Sequence, residues 1–354
     1  MTRSQSDLMI NGLLLGKPES QSGVYYFANL LIEEIQKTYP DISILVSRTN
    51  PLTGGSVIKV PSFPLKFRFL FESYYRLKYR KKYWLNLDYF LPFRFGVKCL
   101  GDGVVIHDFL VYDKPYVVGM FRKLWIHWQF RRTANFAEKI ITISDFSAER
   151  FCQLFPIHRS KCSVIPVPID LARFNELGYS ERLNLQGNQF LLTISSPWQH
   201  KNLAILDQVM PLIYANYGVS LIKVGARQKR IELVDFKFDD RAIHNLGYVT
   251  DGILGQLLKS CRAVIAPSTY EGFGMTVYES LGLGVPVIAT DLESYPKVSS
   301  LVRVVDPLSS LAWQEAISNF LVNTTTNNRE QDFDISAYSS SRIAMEYVKT
   351  LTED

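Results

Sequence analysis

Cysteine is sparse in this sequence, and its scarcity excludes several classes at once. The 354 residues hold four cysteines, Cys99, Cys152, Cys162 and Cys261, with no CxxC spacing and no cysteine–histidine spacing that suits a metal. Zinc ribbons and disulfide-stapled secreted scaffolds are therefore not expected, and free thiols in a reducing cytoplasm are. The five histidines are equally dispersed. The longest apolar runs, such as "VPVIAT" and "RAVIAPS", fall far short of the ~20 residues a membrane-spanning helix needs. The amino-terminal "MTRSQSDLMINGLLLG" has only a short apolar stretch, interrupted by Asn11 and Gly12, and reads as a first strand, not a secretion signal. No Asp-x-Asp pair follows a predicted strand, so neither a catalytic metal nor another cofactor is expected. Internal repeats and low-complexity tracts are also missing.

What is present is an alternation of short apolar runs with amphipathic stretches, the pattern of βαβ units on parallel sheets. "DLMINGLLL", "DISILVS", "GVVIHDF" and "KIITIS" read as strands of a first domain, which "KCSVIPVPIDLARF" closes. Residues 175–188, "NELGYSERLNLQGN", have the polarity of a linker. "QFLLTIS", "VSLIKVG", "IHNLGYV", "AVIAPS", "VPVIAT" and "VRVVD" read as strands of a second. The expected fold is α/β, with two Rossmann-like domains at 1–174 and 185–335. The amphipathic stretch at 336–354 is expected to return to the first. Open parallel sheets bind ligands beyond the carboxyl ends of their strands, so the site is expected in a cleft between the domains.

One segment concentrates the chemistry. After "AVIAPS", the turn "TYEGFG" leads into a helix starting near Met275. Gly272 and Gly274 carry no side chain to keep a ligand from the backbone amides. The first-turn N–H groups and the helix dipole favour a phosphate, and Thr276 adds a hydroxyl. Glu279 lies about one turn further on, a helical pitch being ~5.4 Å. A carboxylate accepts two hydrogen bonds and a vicinal diol donates two, so Glu279 suits a ribose and Glu271 the hydroxyls of a hexose. The plain alternative is a tight strand-to-helix turn with both glutamates on a solvated face.

"PSTYEGFGMTVYESLGLGVPVIAT" resembles the donor-site segment of the retaining glycosyltransferases of family 4, which have the GT-B fold. The resemblance extends over almost the whole chain, through "SGVYYFANLL", "VVIHDF", "EKIITISDFSAERF", "VIPVPIDLARF", "HKNLAIL" and "NLGYVTDGIL". It implies that Glu279 binds the nucleotide ribose and Glu271 the donor sugar. The backbone amides of Gly272, Phe273, Gly274, Met275 and Thr276 would contact the sugar and diphosphate. Lys201 would neutralise the departing diphosphate, Val249 would lie beside the base, and Gly23 would let a loop of the first domain approach the phosphates. His107 would face the sugar, and Glu271, His107 and Lys201 are the residues expected to carry catalysis. The family usually has an arginine five residues before the lysine. That position is Ser196 here, with Arg227 a possible compensating cation, and Lys297 stands where an acidic residue is commoner.

By the resemblance, the chain moves a hexose from a nucleoside diphosphate to a saccharide acceptor. UDP-glucose or a close UDP-hexose is the first expectation and GDP-mannose the second. A sugar-nucleotide epimerase and a non-catalytic sugar-nucleotide-binding protein are the alternatives. Basic and aromatic residues crowd 66–84, "KFRFLFESYYRLKYRKKYW", and 120–136, "MFRKLWIHWQFRRTANF". That mixture points to peripheral attachment at the cytoplasmic membrane and an acceptor on a polyprenyl diphosphate. An ordinary solvated face with aromatics in the core is the competing reading. No nucleic-acid-reading motif accompanies the charge, so a nucleic-acid partner is not expected.

Overall fold

β-branched and large apolar side chains fill the short runs, and in the computed structural model these runs pair as two parallel sheets. The structure describes residues 4–13, 23–61, 67–115, 118–175, 189–225, 241–324 and 333–353. The chain divides into two units, Met1–Pro168 with Ala337–Asp354, and Ile169–Ser336.

In the first unit the strands are β1 (Leu8–Asn11), β2 (Ser43–Ser47), β3 (Val57–Val60), β4 (Tyr83–Asn86), β5 (Asp102–Ile106), β6 (Lys139–Thr142) and β7 (Cys162–Val164). Their order is β3-β2-β1-β4-β5-β6-β7, and Ile10 pairs in parallel register with both Ile44 and Leu85. β3 and β4 lie where no strand was expected. β4 falls within the stretch read as basic surface, and its Tyr83 and Trp84 are fully buried. The run Arg80-Lys81-Lys82 only turns the chain into that strand. Arg76 is buried too: its Nε donates to Asp102 Oδ1 at 2.8 Å, and Arg94 pairs with the other oxygen. Much of the composition of 66–84 therefore belongs to the core.

The carboxyl-terminal helix Ser340–Thr352 lies in this first unit, as its amphipathic spacing implies. It buries Ile343, Ala344, Tyr347, Val348 and Leu351. The Tyr347 ring sits 6.2 Å from Phe27, and Lys139 Nζ donates to the Thr350 carbonyl at 2.5 Å.

The second unit holds β8 (Phe190–Ile194), β9 (Ser220–Val224), β10 (Ile243–Gly247), β11 (Val264–Ala266), β12 (Val287–Thr290) and β13 (Leu301–Val304), in the order β10-β9-β8-β11-β12-β13. The helices Ala204–Tyr217 and Ser310–Asn323 pack on the sheet through Leu206, Met210, Ile213, Trp313 and Ile317. Residues 169–174, which the sequence reading placed in the first domain, pack within this unit. A Cβ on Gly282 would lie 3.0 Å from Leu171, and one on Gly255 only 2.1 Å from the Phe174 carbonyl oxygen. Residues 176–188 of the expected linker and Arg227 lie outside the described residues.

Candidate functional site

In the second sheet the chain runs outward from β8 in one direction and from β11 in the other, so the topological switch point lies between them. Loops beyond the carboxyl ends of such strands are where open α/β sheets receive ligands. The β8 loop carries Ser196 and a 3-10 turn, Gln199–Lys201, and the β11 loop carries Glu271, Gly272, Phe273 and Gly274. Three bonds stitch the loops together, one of them from the Thr269 hydroxyl to the His200 carbonyl at 3.2 Å. Thr269 N donates to the His200 carbonyl at 2.7 Å, and Lys201 Nζ donates to Glu271 Oε1 at 2.6 Å.

Gly274 is the N-cap of the helix Met275–Gly282 and adopts a left-handed conformation, φ +92°. A Cβ there would lie 2.3 Å from Cε1 of Tyr295, so both backbone and packing require glycine. Phe273 stacks on Tyr278 at 4.1 Å, and Tyr278 donates to the Ser294 carbonyl at 3.0 Å. Burial pushes the Tyr295 phenol well above its ordinary pKa, and the nearby Glu271 charge adds to this. Tyr295 is thus a neutral buttress behind the glycine turn. Met275 and Thr276 are half-buried in the helix's first turn, whose N–H groups lack partners within the helix.

Glu279, one turn on, is buried. Its Oε1 accepts from Arg173 Nη2 at 2.7 Å, while Arg173 Nη1 donates to Asp251 Oδ1 at 2.7 Å. Burial raises the Glu279 pKa, Arg173 opposes the rise, and Asp251 and Asp170 reinforce it. Val249 is buried just before Thr250, whose hydroxyl accepts from Ile253 N at 3.4 Å and caps the helix Asp251–Ser260. Ser196 is half-buried, and its carbonyl accepts from the Ser195 hydroxyl at 3.2 Å.

In the first unit the switch point lies between β1 and β4. Asn11 Nδ2 donates to Asn86 Oδ1 at 3.1 Å across it, and Asn86 donates to the Gly103 carbonyl at 3.3 Å. Gly23 opens the helix Gly23–Thr38, and among the described residues no atom outside its chain neighbours lies within 4 Å of where its Cβ would be. His107 follows β5, with Nε2 2.9 Å from the Leu87 carbonyl and its ring edge-on to Phe27 at 4.9 Å. Burial lowers its pKa, against the Leu87 hydrogen bond and the charges of Asp108 and Asp88, so it is neutral near pH 7.

The same unit exposes a large apolar surface. On the helix Met120–Phe136, one face buries Ile126, Phe130, Thr133 and Ala134. Phe121, Leu124, Trp125 and Trp128, spaced at i, i+3, i+4 and i+7, are exposed, Phe121 by 90%. Phe69, Phe93 and Phe95 extend the cluster: Phe69 lies 6.0 Å from Trp125, Phe93 5.7 Å from Trp128, and Phe95 5.7 Å from Phe93. Phe95 is 68% exposed at φ +46°, a conformation uncommon for a bulky residue. Arg122 and Arg131 are exposed on the same helix. No described helix is long and apolar enough to cross a membrane.

The second unit thus gathers Ser196, Lys201, Val249, Gly272, Gly274, Met275, Thr276 and both glutamates, while Gly23 and His107 belong to the first. Among the described residues no group of three or more His, Cys, Asp or Glu side chains could hold a metal. Sequence reading missed Arg173, Asp251 and Tyr295. Arg173 had a faint signal, a lone cation closing the apolar run "VIPVPIDLARF". Tyr295 had none, because its contact with Gly274 exists only in the folded chain.

Two family models match: Glycosyltransferase Family 4 over residues 22–173, and Glycosyl transferases group 1 over 188–323. The chain is 27% identical over 252 residues to O-antigen chain mannosyltransferase B of Escherichia coli, spanning 65% of each protein. It is 24% identical over 214 residues to the N,N'-diacetylbacillosaminyl-diphospho-undecaprenol alpha-1,3-N-acetylgalactosaminyltransferase of Campylobacter jejuni, covering 57% of this chain and 54% of that one. Both relatives are matched over less than two thirds of their length. Among solved structures, Anabaena HepE in complex with UDP and glucose superposes with a TM-score of 0.67, at 17% identity, over 98% of this chain and 100% of that one. At that identity the likeness speaks for the fold.

Proposed function

Because the chain belongs to glycosyltransferase family 4 and has the paired Rossmann-like domains of the GT-B fold, we propose that it is a retaining hexosyltransferase that builds a lipid-linked saccharide at the cytoplasmic membrane. UDP-glucose is the first-choice donor and GDP-mannose the second. The mannosyltransferase relative favours the second, and the UDP- and glucose-bound neighbour the first. The observation that carries the reading is the meeting of Lys201, Glu271, Gly274 and the helix Met275–Gly282 at one switch point, with buried Glu279 a turn away.

The chemistry follows from charge. First-turn amides and Lys201 take the diphosphate, Glu279 takes the ribose diol, and Glu271 takes hexose hydroxyls. Donor entry exchanges the Lys201–Glu271 bond for one bond from lysine to phosphate and one from hydroxyl to carboxylate. The bond from the anomeric carbon to the phosphate oxygen breaks, and the acceptor oxygen bonds that carbon on the same face. The acceptor's proton passes to the departing phosphate. Lys201 stabilises charge as it develops, the task in which preorganised groups contribute most. His107, neutral, is assigned to the sugar, and Gly23 to close approach at the phosphates.

The exposed stripe Phe121, Leu124, Trp125, Trp128, edged by Arg122 and Arg131, is assigned to the membrane surface. Aromatic rings settle at the interface, and each cation adds about 1 kcal/mol toward anionic lipid. The polyprenyl-diphosphate acceptor of the Campylobacter relative is the same class proposed here. Calorimetry with UDP-glucose and GDP-mannose, alongside a transfer assay, tests the site. Glu279→Ala is expected to weaken nucleotide binding, and Glu271→Ala chiefly to harm transfer. Unaltered affinity and turnover in both variants overturn the assignment.

A further inference from the structure

Arg173 sits on the segment that enters the second unit, and its guanidinium divides between two carboxylates. Nη1 reaches Asp251 and Nη2 reaches Glu279, each at 2.7 Å. We propose that Arg173 is the positioning residue for Glu279, holding Oε1 so that Oε2 is presented to the nucleotide's diol. This rests on the reading of Glu279 as the ribose acceptor.

Three observations support it. First, Oε1 is taken by Arg173 while Oε2 has no hydrogen-bond partner among the described residues, on a side chain that is 6% exposed. A bound diol would supply donors to that second oxygen. Second, charge around Glu279 is unbalanced. Asp251 on the neighbouring helix and Asp170 on the entering segment both disfavour its ionisation, and Arg173 is the cation that opposes them. Third, the seat of Arg173 is built to closeness. Its guanidinium lies 4.2 Å from the Phe174 ring centre, and the turn Ala172–Asn175 rests so tightly on the helix Asp251–Ser260 that Gly255 has no room for a Cβ. A rigid fork that grips two carboxylates at once fixes direction as well as charge.

A plain structural clasp would need only Asp251. A clasp and a positioning residue differ in how they respond to pH. Glu279 accepts a diol best as a carboxylate, and its folded pKa is raised, so nucleotide affinity falls as pH drops through that pKa. Without Arg173 the pKa rises further, so the deficit relative to the native chain is largest at lower pH and shrinks as pH climbs past it. The nucleotide's own phosphate titration is common to both curves and divides out.

The test is calorimetric titration of the full chain with UDP and with GDP between pH 6 and 8.5, for native, Arg173→Gln, Arg173→Lys and Asp251→Asn proteins. Arg173→Gln is expected to lose roughly 10- to 100-fold in affinity near neutral pH, with the loss narrowing toward pH 8.5. Arg173→Lys keeps the charge without the fork, and is expected to fold and to recover part of the affinity. Asp251→Asn is expected to stay near native. Native affinity in Arg173→Gln, a loss that grows as pH rises, or an equal loss in Asp251→Asn overturns the inference. If the native chain binds neither nucleotide, the donor-site reading itself falls, and the inference falls with it.

Discussion

The two units share one strand order around their switch points but fill those points with opposite chemistry. The first joins amides across it: Asn11 and Asn86 bond each other, and the nearby His107 is held uncharged by burial, with the carboxylates of Asp88 and Asp108 beside it. The second places ion pairs there, Lys201 with Glu271 and Arg173 with Glu279 and Asp251. A parallel sheet supplies the crevice in either case, and side chains decide what enters it. The charged crevice suits a diphosphate and a diol.

The largest expected effect breaks the charged side of this contrast. Lys201→Ala removes the cation we propose to face the leaving group, and transfer is expected to fall about 10²- to 10³-fold, the range for losing one preorganised charge-stabilising donor. Single-turnover measurement with saturating donor isolates that step. A variant within threefold of native would show that the lysine serves only to hold Glu271 in the free protein.

An intermediate effect comes from charging the neutral point. Asn11→Asp leaves shape unchanged but sets a carboxylate oxygen against Asn86 Oδ1 at a buried position. Losing the amide donor there costs about 1–3 kcal/mol. The sign with pH is fixed: burial beside the Asn86 oxygen, with only the Leu13 N–H among the described residues donating at 3.3 Å, raises the new acid's folded pKa above its unfolded value. The native state therefore holds the proton more tightly, and stability falls as pH rises between the two values. Urea denaturation at pH 5 and pH 8 should show a larger deficit at pH 8. An equal deficit at both would mean that water or a shifted partner solvates the acid.

How much of this was legible in the sequence depends on range. The glycine turn, both glutamates and the βαβ alternation announce themselves locally, because turn chemistry and helix start are decided by neighbours in sequence, whereas Lys201 stood out only through the family resemblance. The return of the helix Ser340–Thr352 was readable from its apolar spacing. β3 and β4 were not, since β4 is short and enters directly from Arg80-Lys81-Lys82, which reads as surface. Arg173's grip on Glu279 and Tyr295's packing on Gly274 join residues far apart in sequence. Only tertiary structure brings them together. The same limit split the basic aromatic stretches: composition showed that 66–84 and 120–136 were unusual but not that Tyr83 and Trp84 are core while Trp125 and Trp128 face outward.

That last division gives the prediction with the smallest effect on stability and the sharpest effect on location. Phe121 and Leu124 are 90% and 61% exposed on a helix whose other face is already packed, so replacing them with serine removes little buried apolar area. Surface changes of this kind usually stay within about 0.5 kcal/mol each, and the melting temperature of the double variant should stay close to that of the native protein. Flotation with anionic vesicles should nevertheless be lost, and charge reversal at Arg122 and Arg131 should weaken it in a salt-dependent way. Charge reversal at Arg80 and Lys81 is the control, because those residues lead into the core strand β4 and not into the aromatic stripe. If reversing that pair abolishes flotation while the serine variant still floats, lipid is met by the charged turn and the stripe must serve something else. A shift of the serine variant from dimer to monomer in sedimentation would identify that something as a second copy of the chain.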